Sequence, residues 1–176
     1  MFRIIFLTLF TTGLLSSKVL IKPDEAMKLH FQEATQISKK SILLVKDEIK
    51  SAQKIAKRKI SDRVFRVFVA KKGDQIVGYG LLHTANVRTK DETALYIIDL
   101  KGQMKAIEII AFYEPPEYLP QKRWLNQFID ATVENELKLK KDIHTISGAT
   151  LSARAVTDSA KIALSVLAIA RKNGKL

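Results

Sequence analysis

The chain has 176 residues, of which 47% are hydrophobic and 27% are charged, a composition typical of a folded globular protein. It contains no cysteine, which excludes disulfides, thiolate metal sites and haem attached through cysteines. The formal net charge of +12 is compatible with a nucleic acid, an anionic membrane surface or an acidic protein as partner, or with a surface that is merely solubilising.

Residues 1–17 are predicted to be an export signal. Arg3 precedes an apolar run from Ile4 to Leu15, and small residues favour cleavage after Ser16 or Ser17. The run is shorter than the roughly 20 residues that span a bilayer, although extending it to Ile21 would make a poor membrane anchor. We therefore expect a protein on the outer side of the cytoplasmic membrane, periplasmic or membrane-associated, where nucleic acid is not an expected partner.

Residues 18–60 are predicted to form a basic helical arm. Pro23, Asp24 and Glu25 are typical of the first turn of a helix. Apolar residues then recur every three or four positions, with lysines on the opposite face, which predicts a helix to about Lys59 with a possible break at 38–41. Such an arm could pack against the rest of the domain, or dock on a membrane surface or a partner.

The period of the apolar pattern then changes to two, which predicts four consecutive strands at 64–70, 75–82, 93–100 and 103–112. Tight turns at 71–74 and 101–102 indicate hairpins. We expect an α+β fold in which an antiparallel meander packs against helices.

Two glycines, Gly78 and Gly80, lie on the same face of the second predicted strand and leave it bare. A glycine in a strand usually marks a bulge or a close approach by another group. A bulge is one interpretation, and a floor for a flat aromatic cofactor is the other.

Three of the four prolines fall at 114–120 and predict a stiff, irregular loop. Trp124, Leu125, Phe128 and Ile129 then show the spacing of an amphipathic packing helix. A last helix is expected from Ala149 to about Lys172, ended by Asn173 and Gly174. Because it is apolar on most sides, we expect it to be buried.

The string S-G-A-T-L-S at 147–152 opens this last helix and is typical of a phosphate-binding turn. Free N–H groups and the positive end of the helix dipole attract an anion there. Ser147 is a good helix cap, Gly148 allows a ligand to approach the backbone, and Thr150 presents a hydroxyl. The alternative is a capped helix that binds nothing.

The stretch 142–156, D-I-H-T-I-S-G-A-T-L-S-A-R-A-V, resembles the signature of the FMN-binding domain family, which includes flavin subunits of ion-pumping NADH-dependent reductase complexes and small secreted relatives. The loop E-P-P-E-Y-L-P at 114–120, with Trp124 and Phe128, is similar to the family's glutamate-led loop. The resemblance covers roughly residues 60–172.

The resemblance implies FMN as the cofactor, joined through its phosphate to the hydroxyl of Thr150 by a flavin transferase that uses FAD. Glu114 or Glu117 would then bond the ribityl chain or ring N–H groups of the flavin, unless both are solvated loop acids. His144 stands where the family usually carries an aspartate, and the nearest acid is Asp142. The implied cofactor-binding residues are Ser147, Gly148, Ala149, Thr150, Leu151, Ser152, Glu114 and His144.

These features predict an electron carrier between membrane or periplasmic redox proteins. The three histidines, His30, His83 and His144, are scattered, so we expect neither a metal centre nor a nucleophile–base arrangement. The alternative is a flavin-free, degenerate member that acts as a basic docking module in the cell envelope. A reductase with noncovalent FMN ranks last, because the chain has no dinucleotide fingerprint.

Overall fold

The centre of the fold is a six-stranded antiparallel sheet with the strand order β1-β6-β5-β4-β3-β2. The computed structural model describes residues 18–176, so the predicted export signal at 1–17 lies outside the described residues. The strands are β1 (Lys18–Val19), β2 (Gln36–Leu43), β3 (Val64–Lys72), β4 (Gln75–Asn86), β5 (Asp91–Asp99) and β6 (Met104–Phe112). The α-helices are α1 (Pro23–His30), α2 (Lys46–Ala56), α3 (Lys122–Leu125) and α4 (Thr150–Lys172).

Strands β3 to β6 form the predicted meander, in which each strand pairs with the next along the chain. The turns use glycines with a positive φ, at Gly73 (58°) and Gly102 (84°), a conformation that costs a glycine nothing. The α+β class, the antiparallel meander and its hairpin turns are therefore confirmed.

The two faces of the sheet are covered by different helices. Along β5, Tyr96 and Ile98 point into a large core shared with α2 and α4, while Leu95 and Ile97 point into a smaller core shared with α1. Helix α4 is buried along most of its length, as predicted. No helix within residues 18–176 is long and apolar enough to cross a membrane.

The continuous helix predicted from Pro23 to about Lys59 is wrong. The chain forms α1, then strand β2, then α2, and β2 pairs with β3 from Gln36 opposite Lys71 to Leu43 opposite Val64. The apolar residues of this segment fit a helical period. As a strand, however, the segment pairs with the edge of β3 at eight positions, and a helix could not form these inter-strand hydrogen bonds. Of the two expectations for the arm, packing against the domain is the one observed, since α1 and α2 both contribute to the cores.

The bare strand face at Gly78 and Gly80 is filled by Met27 of α1 and by Phe31, the residue that follows α1, and is not a floor for a cofactor. A Cβ atom on Gly78 would overlap the ring of Phe31, and one on Gly80 would lie 2.5 Å from Sδ of Met27. A β-bulge does interrupt the β3–β4 pairing beside Gly78, between Ala70 and Lys71. The glycines therefore serve the close approach of a helix, which is the use that a missing side chain permits.

Replacing Gly78 by alanine should destabilise the fold by about 1–3 kcal/mol, because the added methyl group forces the Phe31 ring off its site. Phe31→Ala alone should cost roughly 3–5 kcal/mol. The double variant should lose clearly less free energy of unfolding than the two single variants added together, since removing the Phe31 ring removes the clash. Urea unfolding of the four proteins measures the coupling, and additive losses would show that Phe31 and Gly78 do not constrain each other.

The larger core also contains a carboxyl group without a visible partner. Glu92, on the α4 face of β5, is 2% exposed, and its Oε2 atom accepts no hydrogen bond within the described chain. Burial raises the pKa of this carboxyl to about 8, so it is mostly protonated at neutral pH. Burial is the main cause that raises the pKa of the Tyr96 hydroxyl, and the charge of ionised Glu92 raises it further.

Glu92 should make the free energy of unfolding fall as the pH rises. Between the usual pKa of 4.5 and about 8, the unfolded chain loses the proton that the folded protein keeps. Stability then declines by up to about 1.4 kcal/mol per pH unit and levels off above that range. Glu92→Gln should remove this pH dependence. The free energy of unfolding of the variant, measured by urea titration, should therefore rise relative to that of the wild type from pH 5 to pH 8. Glu33→Gln, at an exposed position, is the control for the loss of one negative charge. An equal rise in its free energy of unfolding relative to the wild type would contradict the assignment of the pH dependence to Glu92.

Candidate functional site

The start of α4 is open to ligands from outside. The helix begins at Thr150, whose side chain is exposed, and Gly148 has a φ of 76° with nothing within 4 Å of where a Cβ would lie. The expectation that Ser147 caps the helix is wrong: the capping position is Ala149, and no side chain of the described residues bonds to the first turn. Ser147 lies two positions before Ala149, with Gly148 between them, so its hydroxyl does not take the capping role.

The first turn of α4 therefore keeps its hydrogen-bond donors free. The N–H groups of Thr150, Leu151 and Ser152 have no acceptor within residues 18–176, as expected for an uncapped helix start. The hydroxyl of Ser152 also has no hydrogen-bond partner in the part of the chain that the structure describes, although the residue is only 1% exposed. A buried polar atom without a partner is rare, and this one belongs to the first turn of a helix, whose N-terminal end favours negative charge.

The loop before this helix is held by two side chains that follow the proline-rich segment. Trp124 Nε1 donates a hydrogen bond to the backbone oxygen of His144 (2.7 Å), and the backbone N–H of His144 donates to Gln127 Oε1 (2.8 Å). Trp124 packs edge-on against the buried Phe128. The predicted packing helix is thus present as the short α3 followed by a 3-10 turn at Asn126–Phe128. The His144 side chain is exposed and forms no hydrogen bond within the described chain.

Thr150 lies on the border of two clefts. The smaller one has a volume of about 210 Å³ and brings the helix start to the β4–β5 turn and the proline-rich loop. Its walls are mainly apolar or aromatic, apart from Arg88 and the polar groups of Glu114, Thr150 and Ser152. It is lined by Val87, Arg88, Glu114, Tyr118, Gly148, Ala149, Thr150, Leu151 and Ser152.

Glu114 joins the proline-rich loop to the β4–β5 turn. Its Oε1 accepts hydrogen bonds from the backbone N–H groups of Arg88, Thr89 and Lys90 at 2.7–3.1 Å. The bonds from Thr89 and Lys90 have the largest effect in lowering the pKa of this carboxyl, so it is ionised at neutral pH. Glu114 is 7% exposed and not a solvated loop acid, whereas Glu117 is exposed. The second carboxylate oxygen of Glu114, Oε2, forms no hydrogen bond within the described chain and could accept one from a ligand in the cleft.

The second cleft beside Thr150 is wider and strongly basic. It has a volume of about 410 Å³, and Arg154, one turn along α4, forms part of its wall. The opposite wall comes from the loop at 138–141 and from Arg58, which follows α2. The lining residues are Arg58, Lys138, Leu139, Lys140, Lys141, Thr145, Thr150, Arg154 and Asp158.

A larger cleft of about 520 Å³ shares Lys141 with the basic cleft but does not include Thr150. Acidic side chains line much of it, among them Asp130, Glu134 and Glu136. No group of three side chains within residues 18–176 is arranged to hold a metal ion. Size alone therefore does not identify the site, because the free donors and the exposed hydroxyl belong to the two clefts at Thr150.

The structure brings together six of the eight site residues predicted from the sequence: Glu114, Gly148, Ala149, Thr150, Leu151 and Ser152 all line the smaller cleft. Ser147 and His144 line neither cleft. Sequence reasoning missed Val87, Arg88 and the basic loop at 138–141. Nothing local marks these residues, since they reach the site only through the pairing of β4 with β5 and the folding of the loop before α4.

The model of the FMN-binding domain family matches residues 61–165. No curated protein matches the sequence significantly. The matched segment contains strands β3 to β6, the Glu114 loop and the start of α4 with Thr150, and it covers more than half of the chain. The resemblance noticed in the sequence is confirmed, and FMN is the cofactor that this domain binds. The chain belongs to the FMN-binding domain family.

Proposed function

We propose that this FMN-binding protein is an exported electron carrier whose FMN is joined through its phosphate to Thr150. The observation that carries the proposal is the position of the Thr150 hydroxyl, which is exposed at an uncapped helix start between two clefts. The apolar run from Ile4 to Leu15 supports export to the periplasm or the outer side of the cytoplasmic membrane.

The surroundings of Thr150 suit the phosphate. The free N–H groups of the first turn and the unpartnered Ser152 hydroxyl can donate hydrogen bonds to its oxygens. The helix dipole adds about 0.3–1 kcal/mol for a negative charge at this end. Arg154 shares a cleft with Thr150 and adds a positive charge one turn along the helix. Since α4 is buried along most of its length, these donors hold a fixed geometry.

The smaller cleft suits part of the flavin ring. Val87, Tyr118 and Leu151 provide apolar surface, and the free Oε2 of Glu114 can accept a hydrogen bond from a ring N–H or a ribityl hydroxyl. At about 210 Å³ the cleft is smaller than pockets that enclose a whole drug-sized ligand, roughly 300–1,000 Å³. Part of the cofactor would therefore stay exposed, which favours exchange of electrons with another protein.

The attachment reaction needs FAD and a flavin transferase, and the chain itself supplies the hydroxyl. The Oγ atom of Thr150 forms a bond to the FMN phosphorus of FAD, the pyrophosphate bond breaks, AMP leaves, and the hydroxyl proton is released. When bound, FMN accepts and donates one or two electrons. The residues around it bind and orient it. The hydroxyl of Ser159 lies 3.0 Å from Nδ1 of His83, but Ser159 is only 2% exposed and neither residue lines the two clefts at Thr150. A covalent link would also prevent loss of the cofactor outside the cytoplasm.

Thr150→Ala should abolish covalent flavin without unfolding the protein, because alanine is favourable in a helix. Thr150→Ser keeps the hydroxyl and should retain at least part of the attachment. Each protein is co-expressed with a flavin transferase and measured by intact-mass spectrometry. The expected increase is the mass of FMN less one water, on the peptide that contains residue 150. The same increase in the alanine variant would move the attachment elsewhere, with Ser152 the next position to test.

His144→Asp should increase the flavinylated fraction when the transferase is limiting, because the family usually carries an aspartate at this position. The main chain at His144 is held by Trp124 and Gln127 and its side chain is free, so the substitution changes the chemistry without disturbing the loop. His144→Asn is the matched control, similar in shape but without the charge. An equal fraction in all three proteins would show that residue 144 does not limit attachment. A wild-type protein without flavin, loaded only after His144→Asp, would favour the alternative of a flavin-free docking module.

A further inference from the structure

The basic cleft beside Thr150 carries more positive charge than the cofactor needs. Five cationic side chains and one acidic side chain, Asp158, line it. Arg58 is paired with Asp158, and Lys138 is paired with Glu136 at 2.8 Å. Lys140, Lys141 and Arg154 form no ion pair within residues 18–176. A phosphodiester at Thr150 has a single negative charge, so at least two of these three cations remain unmatched after the cofactor is attached.

The loop that presents two of these lysines is held in place by its own hydrogen bonds. Asp142 Oδ2 accepts from the backbone N–H of Lys138 (2.9 Å), and the backbone N–H of Lys140 donates to the Ile143 oxygen (2.9 Å). Lys140 has a φ of 70°, a strained conformation for a residue with a side chain. The backbone of Lys140 and Lys141 is therefore held in place beside Thr150 before a partner binds. Binding then does not have to pay the entropy cost of ordering the loop.

We propose that this cleft docks a carboxylate-rich surface of the redox protein that exchanges electrons with the flavin. The inference rests on the proposed function and names the kind of partner. No aromatic side chain lines the cleft, which argues against the stacking used by single-stranded nucleic acids. The cations surround a concave space, which suits protruding carboxylates of a protein better than the plane of lipid headgroups.

The position of the cleft gives it a role in the rate of electron exchange. Thr150 lines both clefts, so a protein docked on the basic one would lie next to the cofactor in the other. Complementary charge raises the rate of encounter and orients the partner, and its effect falls as the salt concentration rises. The excess of 30 basic over 18 acidic residues in the whole chain acts in the same direction.

The test reverses the charge at two exposed positions, in the variant Lys140→Glu/Lys141→Glu. Both side chains lie outside every ion pair of the described chain, and their backbone hydrogen bonds do not depend on the residue type. The matched control is Lys39→Glu/Lys40→Glu on β2, which makes the same change of net charge at exposed positions outside the cleft. Flavin content is measured by mass for each protein, so a loss of cofactor is separated from a loss of docking.

The binding probe is a fluorescently labelled hexaglutamate peptide, followed by anisotropy at low and high salt. The cleft variant should bind it about tenfold more weakly than the control at low salt, through the loss of several close charge pairs. Thr150→Ala should bind the peptide at least as well as the wild type, since it lacks the phosphate charge. Equal weakening in both double variants would overturn the proposal, because only net charge would matter. Binding to phosphatidylglycerol vesicles but not to the peptide would also overturn it, in favour of a membrane surface.

A second readout ties the cleft to electron exchange. The flavinylated protein is reduced with dithionite and reoxidised in stopped flow by ferricyanide, an anion, or by hexaammineruthenium(III), a cation, each taking one electron. The cleft variant should react several-fold more slowly with ferricyanide and faster with the ruthenium complex, whereas the control should change little. Unchanged rates in the cleft variant would show that this surface does not govern access to the flavin, and would overturn the proposal even where peptide binding is lost.

Discussion

The packing of α4 against the sheet is the constraint on which the rest of the structure depends. Most residues of this helix are buried in the larger core, together with side chains of α2 and β5. At this depth the helix cannot shift without opening cavities, each of which costs several kcal/mol. Its N-terminus is therefore a fixed point, and the site residues from Gly148 to Ser152 take their positions from it.

The opposite wall of the site depends on pairing in the sheet. The β4–β5 turn is connected to the proline-rich loop by Glu114, whose Oε1 accepts three backbone N–H groups of that turn. This contact places Val87, Arg88 and Tyr118 opposite the first turn of α4. Glu114 thus uses one carboxylate oxygen to join the two segments, while its other oxygen accepts no hydrogen bond within residues 18–176.

The two clefts at Thr150 differ in chemistry, and this difference supports a division of roles. The smaller cleft combines apolar surface with a few polar groups, which is typical of sites that hold a ring system. The wider one combines three cations that have no ion-pair partner within residues 18–176 with a backbone held by hydrogen bonds, which is typical of a surface that selects a partner by charge. The proposed electron carrier would need both properties, because its cofactor must be held firmly and yet be reached by another protein.

Sequence alone determined the features that arise from neighbouring residues. The period-two pattern predicted the meander, and the apolar run after Ala149 predicted a buried helix. The string S-G-A-T-L-S at 147–152 marked the start of that helix, where Thr150 borders two clefts. Tertiary structure alone decided that residues 36–43 form a strand, that Met27 and Phe31 cover Gly80 and Gly78, and that the 138–141 loop shares a cleft with Thr150. The physical reason is that helix caps, turns and periodicity are set over a few residues, whereas an edge strand, a helix on a bare face and a cleft wall are stabilised by partners far along the chain.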